Sequence, residues 1–189
     1  MLALGVDPGT RHLGWGVVRR DGPRVVHVAH GVIDLDTEAP LASRLVCLDT
    51  ELARVVGQHR PSVGAVESLF FHKDAQAAAK LGHARGVVLL ALARAGVPIA
   101  EYAPARVKRT IAGHGRAEKR QIALLVRALL GLPTLPRPDA ADALAIAIAH
   151  LRLGGAPVPR APRPSRARAE LERLVRAQRA RAAPSRVAR

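Results

Sequence analysis

The sequence is poor in cysteine, aromatic residues and acidic residues, and it has no long apolar run. Its 189 residues contain one cysteine, Cys47, which excludes an intramolecular disulfide and a cysteine-rich zinc cluster. Cys47 lies in an amphipathic stretch, where we expect it to be a small buried side chain. The lack of disulfides favours a reducing, cytoplasmic setting.

No uninterrupted apolar run is longer than that of Val87 to Ala93, which is too short to cross a bilayer. The first residues also lack the basic stretch that precedes the apolar segment of a secretion signal. We therefore expect a soluble protein that does not enter a membrane.

Acidic residues are outnumbered by basic ones, with 15 Asp and Glu against 30 Lys and Arg and a formal net charge of +15. Such a charge indicates a polyanionic partner, of which nucleic acid is the commonest, but it does not indicate a fold. Residues 156–189 contain ten Arg, five Pro and only two Glu. This composition predicts a mostly disordered basic tail after a folded domain of residues 1–155.

Short apolar runs separated by turn residues predict an α/β domain with five strands. The first three strands should form a meander, and the helix after them should act as a crossover that places the fourth strand parallel to the first. We expect strands at 2–6, 12–19, 24–35, 63–67 and 99–102, and helices at 40–58, 74–95, 104–112, 119–130 and from 138 to before 154.

Four acidic residues in this arrangement are candidate metal ligands. Asp7 and Glu67 follow the two strands that we expect to be parallel neighbours, so they should lie at the same end of the sheet. Asp139 and Asp142 are three residues apart at the start of the last helix and share one of its faces. Singly, each has an ordinary explanation as a turn former, a solvated strand end or a partner of the helix dipole. Together they would repel one another without a cation, which predicts a site for Mg²⁺ or Mn²⁺ able to hydrolyse phosphodiesters.

Four stretches of the sequence form a recognisable set: Gly5 to Thr10 with Gly14 and Gly16, Val66-Glu67 with Phe70, Lys80 to Gly86, and Asp139 to Ala145. In this order they resemble the RuvC family of bacterial Holliday junction resolvases. The resemblance covers residues 1 to about 155 and implies a ribonuclease H-like α/β fold, with a five-stranded mixed sheet flanked by helices.

The resemblance implies a homodimeric, Mg²⁺-dependent endodeoxyribonuclease that resolves four-way DNA junctions by two symmetric nicks in recombination and repair. It also implies the RuvA-RuvB branch-migration complex as a partner, and a two-fold interface built around the helix that carries Gly82 and Gly86. Phe70 matches an aromatic position that contacts junction bases, and Lys108 and Lys119 match basic positions implicated in DNA contact or catalysis. The family's metal-binding catalytic positions match Asp7, Glu67, Asp139 and Asp142, although some members carry His where this chain has Asp139.

Two other functions are compatible with parts of the sequence. The run from Asp7 to Thr10 with the Gly-rich strand after it also resembles the first phosphate loop of the actin, Hsp70 and sugar-kinase class, which would make this an ATP-binding protein. The remaining length cannot supply the second lobe of that class. A non-enzymatic architectural DNA-binding protein would account for the charge and the tail, but it leaves the four acidic residues unexplained.

Overall fold

The computed structural model describes residues 1–68 and 75–154 of the chain. In those residues it contains the ten predicted elements, each within about two residues of its predicted ends. The strands are β1 (Leu2–Asp7), β2 (His12–Asp21), β3 (Arg24–Asp34), β4 (Val63–Glu67) and β5 (Ile99–Tyr102). The helices are α1 (Leu41–His59), α2 (Ala75–Arg94), α3 (Pro104–Ala112), α4 (Lys119–Leu130) and α5 (Pro138–Arg152).

The strands form one mixed sheet in the order β3-β2-β1-β4-β5. The first three strands are antiparallel neighbours, as predicted for the meander, and β4 and β5 continue the sheet in parallel with β1. Val6 of β1 lies in register with Val66 of β4. Asp7 and Glu67, the next residue of each strand, therefore come to the same end of adjacent strands, which confirms the predicted placement.

Helices cover both faces of the sheet and produce two apolar layers. Neighbouring residues of β2 belong to different layers, because side chains alternate along a strand. Val17 packs in the layer under α1 and α2, whereas Val18 packs in the layer under α3, α4 and α5. The predicted α/β architecture with flanking helices is confirmed.

Glycines allow α5 to lie directly against the sheet. A Cβ added to Gly5 would lie 2.0 Å from the carbonyl oxygen of Ala143, and one added to Gly14 would lie 1.9 Å from that of Asp139. Any side chain on β1 or β2 at these points would push the helix outward. The close contact brings the first turn of α5 to the end of β1 that carries Asp7.

The prediction that Cys47 is buried is wrong, because its side chain is exposed. The helix there is amphipathic, as expected, and its buried face is formed by Leu48, Leu52, Val55 and Val56. Cys47 precedes that face and lies beside Val46, which is also exposed. Amphipathic spacing predicted the helix, but it did not place this one residue on the correct side.

Across residues 1–68 and 75–154, none of the helices has the length and apolar character needed to pass through a lipid bilayer. Several predictions fall outside the described residues and stay predictions. They concern the DNA contact of Phe70, the first residue of the helix expected at 74–95, and the basic tail of residues 156–189.

Candidate active site

A cleft of about 330 Å³ opens at the carboxyl ends of β1 and β4. Three of the four predicted carboxylates, those of Asp7, Glu67 and Asp142, lie on its wall. Side chains of α2, α3 and α4 form the opposite wall, so residues distant in sequence converge there. This convergence is the arrangement expected for a ligand site at the carboxyl ends of parallel strands.

Asp139 is the fourth predicted ligand and is placed differently from the other three. It lies in the first turn of α5, one turn before Asp142, and is not among the residues that line the cleft. Its negative charge nevertheless acts on Asp7 and on Lys119. Asp139 therefore belongs to the same electrostatic cluster, at its margin.

The carboxyl group of Asp7 is the centre of this cluster. Its pKa is raised from 3.8 to about 7, first by burial and then by the charges of Asp142, Glu67 and Asp139, whereas Lys119 lowers it. Both effects disfavour the charged form of a carboxyl group. A bound cation would remove the repulsion and restore the carboxylate.

Lys119 supplies a positive charge within the described part of the site. Its Nζ donates a hydrogen bond of 2.9 Å to Oδ2 of Asp142. The pKa of Lys119 is raised by this hydrogen bond and by the charge of Asp142, with smaller contributions from Asp7 and Asp139. Since Lys119 begins α4 and its side chain is largely exposed, the ammonium group is also accessible to an anionic ligand.

Two further basic residues line the cleft. Lys108 of α3 was predicted from the family resemblance, whereas Arg85 of α2 was noted in the matching run without an assigned role. Arg85 donates a 3.3 Å hydrogen bond to the main-chain oxygen of Glu67 and forms an ion pair with Glu101. Arg85 is one of three Lys and Arg residues in α2, with Lys80 and Arg94, so no pattern along the helix singles it out. Its position beside Glu67 became evident only in the folded chain.

Among the residues that the structure describes, no three His, Cys, Asp or Glu side chains are arranged to enclose a metal ion. The chemistry of the donor set still fits a hard divalent cation. The carboxylates offer only oxygen atoms, which Mg²⁺ and Mn²⁺ prefer. The raised pKa of Asp7 results first from burial and then from the neighbouring carboxyl groups, and both disfavour the charge that a cation would stabilise.

The mixed sheet, its strand order and the acidic residues at adjacent strand ends define a ribonuclease H-like domain of the nuclease type. Residues 3–150 match the family profile of the crossover junction endodeoxyribonuclease RuvC. The chain therefore belongs to the RuvC family, whose members are endonucleases, as its sequence motifs predicted.

Two relatives illustrate the similarity. The crossover junction endodeoxyribonuclease RuvC of Sorangium cellulosum is 63% identical over 177 residues, which is 89% of this chain and 99% of the relative. The structure of T. thermophilus RuvC in complex with a Holliday junction substrate has a TM-score of 0.76 and 41% identity, over 82% of this chain and 97% of that one.

A more distant structure confirms the fold alone. The fowlpox virus resolvase, solved with Holliday junction DNA, has a TM-score of 0.54 at 12% identity and covers 80% of this chain. Family membership also decides between the functions that the sequence left open. It favours an endonuclease over an ATP-binding protein and over an architectural DNA-binding protein.

Proposed function

We propose that this protein resolves four-way DNA junctions by hydrolysing phosphodiester bonds, with Asp7, Glu67, Asp139 and Asp142 as the ligands of a divalent metal. The RuvC family implies a divalent metal, and Mg²⁺ is the ion that we propose, with Mn²⁺ as a substitute. The observation that carries the proposal is the convergence of Asp7, Glu67 and Asp142 on one cleft, where burial and the neighbouring carboxylates raise the pKa of Asp7 to about 7. A buried carboxyl group among like charges has a stronger need for a cation than one at an ordinary strand end.

When bound, the metal would activate the attacking water and stabilise the charge on the leaving oxygen. Asp7 and Glu67 would hold it from the rigid ends of two hydrogen-bonded strands, which limits their movement. Asp142 would approach from α5, and its hydrogen bond to Lys119 holds the carboxylate in place. The residues thus meet from two separate layers of the fold.

We propose that Lys108, Lys119 and Arg85 contact phosphates of the bound strand. All three line the cleft beside the carboxylates. Phosphate contacts of this kind orient nucleic acid without reading its sequence. The exposed ammonium of Lys119 is suited to a dual task, because it can bind a phosphate while it remains near Asp142.

We propose a homodimer, since two equivalent cuts in a four-way junction need two equivalent sites. A Cβ added to Gly82 or Gly86 of α2 would meet nothing within 4 Å, so this part of the helix is open to close approach by another backbone. The family resemblance adds RuvA-RuvB as a partner, and the lack of disulfides favours the cytoplasm as the location. The ten Arg of residues 156–189 would neutralise phosphates of any DNA arm.

The test is cleavage of a synthetic four-way junction in Mg²⁺, with a linear duplex of the same sequence alongside. We expect paired nicks in the junction and little cleavage of the duplex. Asp7→Asn and Asp142→Asn should abolish cleavage and leave junction binding intact, because the basic surface is retained. Asp49→Asn is the matched control, since Asp49 lies on α1 and pairs with Arg94 away from the cleft. Cleavage by Asp7→Asn at the wild-type rate would contradict the proposed site.

A further inference from the structure

Asp34 is the last residue of β3 and makes three hydrogen bonds. It lies at the same end of the sheet as Asp7. Nη1 and Nη2 of Arg137 donate to its two carboxylate oxygens, each at 2.7 Å. Nδ1 of His12 lies 2.8 Å from Oδ1 of the same carboxylate. The two-point contact with the planar guanidinium fixes the orientation of Arg137 as well as its distance.

This contact connects the end of β3 to the start of α5. His12, the first residue of β2, is in register with Asp34, and two residues later Gly14 is in register with Asp7. Arg137 is the N-cap residue of α5, and its side chain makes no capping hydrogen bond to the helix. Only Pro138 separates it from Asp139.

Arg137 is a cation placed close to a proposed metal ligand. Its pKa is raised chiefly by the hydrogen bond to Asp34, then by the charge of Asp34 and by that of Asp139. Arg137 precedes the first helical turn and has non-helical backbone angles, φ −54° and ψ 148°, so the exclusion of one χ1 rotamer inside helices does not apply to it. Without Asp34, the guanidinium would be free to turn towards Asp139 and neutralise it.

The ion pair adds little to folding stability. The side chains of Arg137 and Asp34 are 53% and 55% exposed, and ion pairs this exposed contribute little because water and salt screen them. Its removal should therefore leave the fold intact. A change in Mn²⁺ affinity would then result from the new location of the guanidinium and not from unfolding.

We infer that Asp34 is a positioning residue that holds the guanidinium of Arg137 away from Asp139, so that the Asp139 carboxylate stays available to a divalent cation. The inference rests on the proposed assignment of Asp139 as a metal ligand. It predicts that losing Asp34 weakens binding of a divalent cation only when Arg137 is present.

The test is calorimetric titration of Mn²⁺ into the complete 189-residue chain without DNA. We expect Asp34→Ala to weaken Mn²⁺ binding about two- to fivefold. This is the effect expected when an exposed ion pair between Arg137 and Asp139 competes with the metal. Arg137→Ala should bind Mn²⁺ at least as tightly as the wild type. The double variant should match Arg137→Ala, since the competing cation is then absent.

Other outcomes would overturn the inference. Equal weakening in Asp34→Ala, Arg137→Ala and the double variant would mean that the pair only anchors α5. Unchanged Mn²⁺ binding in Asp34→Ala would mean that Asp139 is not exposed to Arg137. The control is Glu51→Ala, which removes the partner of Arg54 from an exposed pair on α1 and should not alter Mn²⁺ binding.

Asp139→Asn separates failure of this inference from failure of the proposed function. If Asp139→Asn binds Mn²⁺ like the wild type, the assignment of Asp139 as a ligand is wrong. If Asp139→Asn loses affinity and Asp34→Ala does not, only the role of Asp34 is wrong. Thermal unfolding of each variant checks that the fold is retained.

Discussion

Gly14 lies directly against the main-chain carbonyl of Asp139, so that a Cβ at Gly14 would come within 1.9 Å of that oxygen. The contact joins β2 to the first turn of α5 and leaves no room for any side chain. The carboxylates of α5 approach Asp7 because β2 has no side chain at this point.

Gly14→Ala should therefore move the start of α5 away from the sheet. We expect a loss of at least about 1–3 kcal/mol in the free energy of unfolding, the usual cost of overpacking, together with weaker cleavage. Chemical denaturation of the metal-free protein measures the first effect. Gly57→Ala is the control, because Gly57 is exposed in α1 with nothing near its Cβ position, and alanine there should stabilise the helix by up to about 1 kcal/mol. Equal stability of Gly14→Ala and the wild type would contradict the packing argument.

Lys119 and Lys108 line the same cleft, but they should have different effects on Asp7. Lys119 lowers the pKa of Asp7, so Lys119→Met should raise that pKa further and slow cleavage. Lys108 is not among the groups that act on Asp7, so Lys108→Met should weaken junction binding and leave the Asp7 pKa unchanged. Carbon-13 NMR titration of the Asp7 carboxyl group measures the pKa. Lys119→Arg should leave the pKa of Asp7 at its wild-type value. If the pKa of Asp7 is the same in all variants, Lys119 and Lys108 do not differ in their effect on it.

In the metal-free protein, the contribution of Asp7 to stability should fall as the pH rises from about 4 through about 7. The folded-state pKa of Asp7 is raised from 3.8 to about 7, so in this range the folded state binds more protons than the unfolded state and stability falls with pH. His27 and His30 act in the opposite direction, because burial lowers their pKa values.

The difference between the wild type and Asp7→Asn isolates the contribution of Asp7. Between pH 4 and pH 8, the melting temperature of Asp7→Asn should depend less on pH than that of the wild type. Excess Mg²⁺ at pH 8 should raise the melting temperature of the wild type but not that of Asp7→Asn. If the two profiles are parallel throughout, Asp7 does not titrate in this range.

Phe70 and Phe71 follow Glu67 by three and four residues, outside the described part of the chain. We predict that Phe70→Ala impairs cleavage far more than junction affinity, because one stacking contact adds about 1–3 kcal/mol to a binding energy dominated by phosphates. Misplacing the scissile phosphate by about 1 Å can cost on the order of 100-fold in rate. Phe71→Ala should mainly lower thermal stability.

Single-turnover cleavage of intact and pre-nicked junctions tests the two assignments. A nick at the crossover should partly rescue Phe70→Ala, because less unstacking is then required. Equal defects on both substrates, or a larger defect in Phe71→Ala, would reverse the assignment.

The local pattern of the sequence determined the elements of the fold and the candidate ligands. Apolar runs of period two and helical periodicity each act over a few residues, so the strands and helices were predicted to within about two residues of their ends. The crossover rule then placed Asp7 and Glu67 together, because a parallel neighbour follows from chain order and handedness. The four motifs, which lie in family order, identified the RuvC family before any geometry was known.

Only the tertiary structure decided how polar groups on different elements act on one another. Three contacts join residues far apart in sequence: the hydrogen bond from Lys119 to Asp142, the placement of Arg85 beside Glu67, and the attachment of Arg137 to Asp34. Chain spacing carries no signal for such contacts, because they depend on how the helices pack on the sheet and on one another. The exposure of Cys47 was decided in the same way, by which face of α1 met the core. A pattern along the chain specifies which residues form an element, whereas burial and electrostatic neighbours exist only after the elements have packed.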